Sequence, residues 1–132
     1  MLVCDVHVSI PLFSMTHRSS LSKALFGVGI AGNLYHHYLL ANLRDSKNTD
    51  GPKYVAPKGG LFNYVAAPHY FFELLGWLGI AVVAQQMNAY LVFVCMTSYL
   101  AGRAYSQNGW NRSKFSESDW PASRKNVIPF IF

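Results

Sequence analysis

Cysteine, histidine and charge are all scarce in this chain. Cys4 and Cys95 are the only two thiols in 132 residues. They lie far apart and form neither a disulfide framework nor a Cys-x-x-Cys pair for metal or redox chemistry. The five histidines, His7, His17, His36, His37 and His69, are too few for the several histidine boxes of a membrane di-iron oxygenase, and no metal site is expected. No Ser-His-Asp or Cys-His arrangement and no Walker loop is legible. Charged residues make up 13%, against roughly 25% in an ordinary soluble protein, while 52% are hydrophobic. The first twenty residues, "MLVCDVHVSIPLFSMTHRSS", do not read as a signal peptide, because no basic region precedes the apolar part and Asp5 and His7 interrupt it.

What is abundant is apolar sequence with bases at its edges. Eleven Lys and Arg stand against six Asp and Glu. Arg44, Lys47, Lys53 and Lys58 form one basic group, and Arg103, Arg112, Lys114, Arg124 and Lys125 form another. Both flank apolar stretches rather than building one basic face, so they read as membrane-side or phosphate-facing charge, and nucleic acid is not an expected partner. Leu21 to about Leu43 is long enough for one bilayer crossing at 1.5 Å per residue. A polar loop, "RDSKNTDGPKYVAPKGG", follows. Leu61 through Tyr105 is apolar again and divides near "QQMN" into Leu61 to Ala84 and Ala89 to Tyr105, which reads as an α-helical hairpin. A chain of 132 residues cannot bury three helices that are hydrophobic on every side, so lipid is the expected solvent. The expected fold is all-α: a multi-pass transmembrane bundle of about three spans with a cytosolic loop and tail, residues 21–132 forming the domain and 1–20 unassigned. The hairpin puts the loop and the tail on one side, with Arg18 and Lys23 opposite.

Three features carry possible chemistry. "GVGIAG", Gly27 to Gly32, has the spelling of a dinucleotide-binding turn but lacks the preceding strand and the βαβ unit that the mechanism requires. Small residues at Gly27 and Ala31, one turn apart, instead predict close approach of another helix. In "GNLYHHYLLANLR", Asn33, His37 and Arg44 are spaced four and seven, so they share one helix face. An amide or imidazole inside an apolar segment needs a partner or a ligand, and such residues are functional candidates. Glu73, in "YFFELLGW", is the one acid of the hairpin; it must face protein, water or a ligand, and a structural pair with Arg103 or a loop base is equally open.

With these residues in view, the chain resembles the C-terminal domain of the steroid 5α-reductase family, membrane enzymes that reduce a carbon–carbon double bond with NADPH. The resemblance runs from about Phe26 to Phe132. It rests on "GNLYHHYLLANLR", "YVAPKGGLFNYVAAPHYFFELLGWLG", "LAGRAYSQNGW" and "RKNVIPFIF" in that order, with a His-His pair much like that of plant members. The resemblance implies a partial relative of a seven-helix reductase in the endoplasmic reticulum membrane. It also implies that Asn33, His37, Arg44, Tyr54, Tyr70, Glu73, Arg103 and Arg124 line an NADPH pocket. The implied reaction sends a hydride to the β-carbon of an enone lipid, of the 3-oxo-4-ene steroid type, and a proton to the α-carbon. Several Arg side chains converging from different segments suit the pyrophosphate and 2′-phosphate of that cofactor.

The chain departs from the family at His69, where Asn is usual, at Asn111, where Tyr follows the Trp, at Val55, where a base is common, and by two extra residues between Phe115 and Pro121. Family members are about twice as long, and their enone-polarising acid and tyrosine come from N-terminal helices without counterpart here. The expected partners are therefore a bilayer, a steroid or other lipid enone, and an N-terminal half or partner membrane protein. The alternatives are a non-catalytic truncated relative, or a reductase of polyprenols or long-chain enoyl-CoA. Gly59-Gly60 favours the steroid branch, and Pro68 is similar to the polyprenol branch.

Overall fold

The computed structural model describes residues 15–45 and 54–132, and every described element is helical apart from one short bridge. Helix α1 spans Met15–Asp45, a 3₁₀ turn spans Gly60–Asn63, and helices α2 and α3 span Pro68–Ala84 and Met87–Lys114. Each apolar run contains a helix, but the bounds differ from those expected: α2 starts at Pro68 rather than Leu61, the residues before it forming the 3₁₀ turn and a loop, while α1 and α3 run past the expected 21–43 and 89–105. The hairpin breaks at Gln85–Gln86 as expected. Gln85 closes α2 in the left-handed conformation (φ 55°), its N–H donating to the Ala81 carbonyl at 3.1 Å. Pro68 opens α2 at a position where its missing N–H costs nothing. Arg112 and Lys114 fall in the last turn of α3, where cations favour the helix dipole.

The expectation of three membrane spans needs correction. Among the described residues, no helix is long and apolar enough to cross a membrane. Helix α2 is the most apolar but has 17 residues, about 26 Å at 1.5 Å per residue, short of the roughly 30 Å hydrocarbon core. Helix α1 has the length, at 31 residues, but its apolar run is interrupted by Lys23, Asn33, His36 and His37. The second half of α3 turns polar from Arg103 onward, through Ser106, Gln107, Asn108 and Asn111.

Helix α2 lies between antiparallel neighbours, packing on α1 along most of its length and on α3 near its own start. The α1–α2 contact is backbone to backbone. A Cβ on Gly29 would stand 2.6 Å from the Gly76 nitrogen and 2.8 Å from the Phe72 carbonyl, and one on Gly79 would stand 2.9 Å from the Ser22 carbonyl. Gly32 packs with equal closeness on the Phe72 ring. Gly27, expected to make this contact, has nothing within 4 Å and Ala31 is exposed, so the contact stripe is rotated from the expected one.

At the other end of the bundle, the loop and the C-terminal tail form a cap over the start of α2, which places them on the same side as predicted. Val65 bridges Lys125 in parallel fashion, and the N–H groups of Ala66 and Ala67 donate to the carbonyls of Lys125 and Asn126 at 2.8 and 3.1 Å. Trp120, 2% exposed, packs with Ala56, Ala66 and Phe115, and Val127 packs with Ala67 and Ala104. Asn108 is the hub. Its amide donates to the Arg124 carbonyl (3.2 Å) and to Asn126 Oδ1 (2.8 Å), while its oxygen accepts the Trp120 indole N–H at 2.8 Å.

Candidate functional site

The two adjacent histidines of α1 do different work. His36 is buried. Its Nδ1–H donates to the Gly32 carbonyl at 2.7 Å, which leaves Nε2 to accept the Leu61 N–H at 3.2 Å and so ties the 3₁₀ turn to α1. Its ring stacks on Phe72, centroids 5.1 Å apart. His37, one residue on, is exposed and points to the neighbouring face, where its ring lies 5.0 Å from that of His69.

Along that face, α1 and α2 enclose a cleft of about 370 Å³ lined by Asn33, His37 and Glu73 together with Phe72, Trp77 and Ile80. Asn33 is satisfied by donating to the His69 carbonyl at 3.0 Å. Among the described residues Glu73 pairs with neither Arg103 nor Lys58, and it stands half-buried in the cleft wall. His69 forms the end of this region; it is buried, and its Nδ1 has no hydrogen-bond partner among the described residues.

A second, broader groove of about 870 Å³ runs along α3 past Ser98, Tyr99, Arg103, Gln107 and Trp110. The Arg103 guanidinium donates to the hydroxyls of Tyr70 (3.2 Å) and Tyr99 (3.1 Å), and no carboxylate among the described residues pairs with it. Tyr54 closes edge-on against Trp110, centroids 5.2 Å apart. Tyr70 and Glu73 lie one turn apart on α2, so a single helix supplies a side chain to the Arg103 cluster and another to the cleft.

Seven of the eight sequence-derived residues therefore have described side-chain positions, and six flank these two concave surfaces. Asn33, His37 and Glu73 meet in the cleft; Tyr70, Arg103 and Tyr54 lie along the groove. Arg124 does not join them. Its guanidinium lies 4.1 Å over the Trp120 ring, reaches the Pro57 carbonyl at 3.5 Å and holds the loop against the tail; burial pushes its pKa below the ordinary value. Arg44 belongs to α1, but its side chain lies outside the described residues. The sequence reading missed Trp77 and Tyr99. Each stands four residues from a chosen residue on the same helix, Trp77 after Glu73 and Tyr99 before Arg103, and that spacing was the available signal.

A guanidinium held by two phenols in an open groove, without a carboxylate, is suited to an oxyanion such as phosphate. The amide, imidazole and carboxylate of the cleft offer both donors and acceptors to a polar ligand. Residues 9–132 match the family described as 3-oxo-5-alpha-steroid 4-dehydrogenase. The chain belongs to this family. It is 35% identical over 115 residues to steroid 5-alpha-reductase DET2 of Solanum lycopersicum, which covers 87% of this chain and 43% of that relative. It is 38% identical over 118 residues to 3-oxo-5-alpha-steroid 4-dehydrogenase 1 of Rattus norvegicus, covering 89% and 44%. With 3-oxo-5-alpha-steroid 4-dehydrogenase 2 of Homo sapiens it shares 33% identity over 115 residues, covering 87% and 43%. The chain thus spans less than half the length of these curated relatives, and the plant relative agrees with the His-His resemblance.

Proposed function

We propose that this chain forms the cofactor-holding part of a membrane reductase that reduces the C=C bond of an enone lipid, of the 3-oxo-4-ene steroid type, with NADPH. Membership of the 3-oxo-5-alpha-steroid 4-dehydrogenase family supports the reaction class. The observation that carries the cofactor assignment is the meeting of Asn33, His37 and Glu73 in one cleft beside the Tyr70–Arg103 pair. These residues fit a dinucleotide: Arg103 would hold a phosphate, Asn33 and Glu73 would fix amide or ribose groups, and Arg44 would complete the phosphate end. Bound NADPH supplies the hydride. Phe72 and Trp77 keep water from the cleft, and Tyr70 and Tyr99 hold the Arg103 fork in one orientation, so that less side-chain freedom is lost on binding.

The bilayer is the proposed setting, that of the endoplasmic reticulum. Leu21, Val28, Ile30, Leu34, Val83, Leu91 and Val94 all stand exposed on the helices, more apolar surface than a water-borne bundle of this size presents. The short α2 then sits within the membrane against the longer α1 and α3, covered by them and by the N-terminal half of a full-length reductase.

Titrating the purified chain in detergent with NADPH and NADH tests the cofactor reading; saturable NADPH binding is expected, and its absence would sink it. Arg44→Ala is expected to weaken NADPH more than NADH, and equal losses would remove Arg44 from the 2′-phosphate. Adding a 3-oxo-4-ene steroid, with and without the separately supplied N-terminal half of a relative, tests the reaction. NADPH binding without reduction in either case would favour a non-catalytic relative.

A further inference from the structure

Residues 127–132 form a closed hook. The N–H groups of Val127 and Ile128 both donate to the Phe132 carbonyl at 2.8 Å, and the Ile128 carbonyl accepts from Ile131 and Phe132 at 3.2 and 3.1 Å. Pro129 and Phe130 form the corner, with Phe130 at φ 67°. A positive φ at this corner favours glycine or asparagine, and a bulky side chain there is strained. Within the molecule, the phenylalanine returns little. Phe130 is 80% exposed; among the described residues its one aromatic contact is with Tyr64, at a centroid distance of 5.9 Å, and Ile131 beside it is 76% exposed. A turn that would favour glycine instead carries a large apolar side chain turned outward, so the contact that rewards it lies outside the described residues.

The surroundings indicate what that contact is. Val127, at the root of the hook, is anchored between Ala67 at the start of α2 and Ala104 in α3. The hook is therefore rooted where the apolar part of α3 gives way to its polar half and to the basic cap. Tyr64 and Lys125 flank a small hollow of about 240 Å³ beneath Phe130, and Lys125, Arg112 and Lys114 are exposed in the same cap. Glu117 is exposed there too, whereas Asp119 is engaged by Lys58 at 2.8 Å. Apolar and aromatic side chains beside bases that outnumber the acids around them, at the boundary between an apolar and a polar zone, match the interface of a bilayer carrying anionic headgroups.

We propose that the Pro129–Phe132 hook is an interfacial anchor: Phe130 and Ile131 enter the headgroup boundary of the membrane while Lys125 meets anionic lipid phosphates, which fixes the depth of the cap and of the cofactor surfaces beside it. This rests on the membrane setting proposed above, and the test separates the two. A spin label is placed by Ile131→Cys in a Cys4→Ala, Cys95→Ala background, and the full chain is reconstituted in vesicles containing phosphatidylserine. Collision with oxygen and with a water-soluble nickel chelate is then measured. Labels at Val94→Cys on the outer face of α3 and at Lys58→Cys on the cap serve as references. The expected result is oxygen access alone at 94, nickel access at 58, and an intermediate ratio at 131 that moves toward water in a Lys125→Glu variant. Nickel access at 94 would overturn the membrane setting itself. With 94 in lipid, full nickel access at 131 would overturn the anchor, and so would exclusion of both agents, which marks a site covered by protein.

Discussion

Replacing Gly29 with alanine is expected to push α1 and α2 apart. The added methyl would stand 2.6 Å from the Gly76 nitrogen, 2.8 Å from the Phe72 carbonyl and 2.9 Å from Gly76 Cα, all backbone atoms of a helix that cannot yield locally. Ordinary carbon contacts lie at roughly 3.5–4.0 Å, so the axes must separate by about 1 Å, which forfeits a quarter to a half of each dispersion contact along the seam. Overpacking of this kind costs about 1–3 kcal/mol. Against it stands the helix propensity gained by replacing glycine with alanine, about 1 kcal/mol. Gly27 supplies the control, because its Cβ would meet nothing within 4 Å and only the gain remains. Gly27→Ala and Gly29→Ala should therefore differ by about 1–3 kcal/mol, the overpacking alone, with Gly27→Ala at or above the parent stability. Denaturant titration in mild detergent, followed by tryptophan fluorescence, measures the difference; Trp77 in the cleft reports the seam directly. A Gly29→Ala variant as stable as Gly27→Ala would refute the close approach, and with it the geometry that brings Asn33 opposite Glu73.

Other substitutions test other parts. His36→Ala removes the acceptor of the Leu61 N–H and the ring stacked on Phe72, and a loss of about 2–4 kcal/mol is expected from the orphaned group and the cavity together, read as a lowered unfolding midpoint. Arg103→Ala is expected to weaken binding of NADPH, measured by titration, while leaving the unfolding midpoint unchanged, because the guanidinium is exposed and among the described residues is bonded only to two tyrosines. Lys58→Ala should leave the midpoint at neutral pH almost unchanged, since both partners of the Lys58–Asp119 pair are solvent-exposed. The hydrogen bond from Lys58 holds the Asp119 carboxyl below its ordinary pKa. What this pair contributes is therefore present above the usual carboxylate range and lost as pH falls through the lowered value, and a midpoint-versus-pH series for Lys58→Ala should converge on the parent in acid.

The helices were legible because long, mainly apolar runs bounded by Gly, Pro and polar residues leave the backbone little choice. The hairpin break at Gln85–Gln86 followed from the same signal. The rotation of α1 against α2 was not legible. "GVGIAG" and Gly32 offer small residues on several faces of the helix, and the choice of Gly29 and Gly32 over Gly27 and Ala31 depends on where Gly76 and Phe72 of α2 lie. Asn33 and His37 declared a shared face by their spacing, and that face does open on Glu73. The histidine pair could not be apportioned from sequence, because only the arrival of the Leu61 N–H makes His36 structural and leaves His37 to the cleft. Arg124 failed to join the others for a related reason: a guanidinium among aromatic residues has two outlets, phosphate or ring, and Trp120 is close enough to take it.

The position of Arg103 and Tyr70 depends on how the tail is strapped to α3, and Asn108 makes the strap. Asn108→Ala removes three hydrogen bonds at once, but the three are not equal. The Arg124 carbonyl keeps a second donor in Arg112, at 3.2 Å, and the half-buried Asn126 side chain can turn to water. The Trp120 indole N–H, buried and with no other acceptor among the described residues, is left without a partner at a cost of about 1–3 kcal/mol. Trp120→Phe removes the same bond from its other end and leaves the Asn108 carbonyl oxygen unpaired. If the indole–amide bond is what fixes the strap, the double variant should lose clearly less stability than the sum of the two single ones, because neither partner is then orphaned. Additive losses would place the stabilisation in packing around Trp120, and the hydrogen-bonded hub would no longer explain why the tail lies where it does.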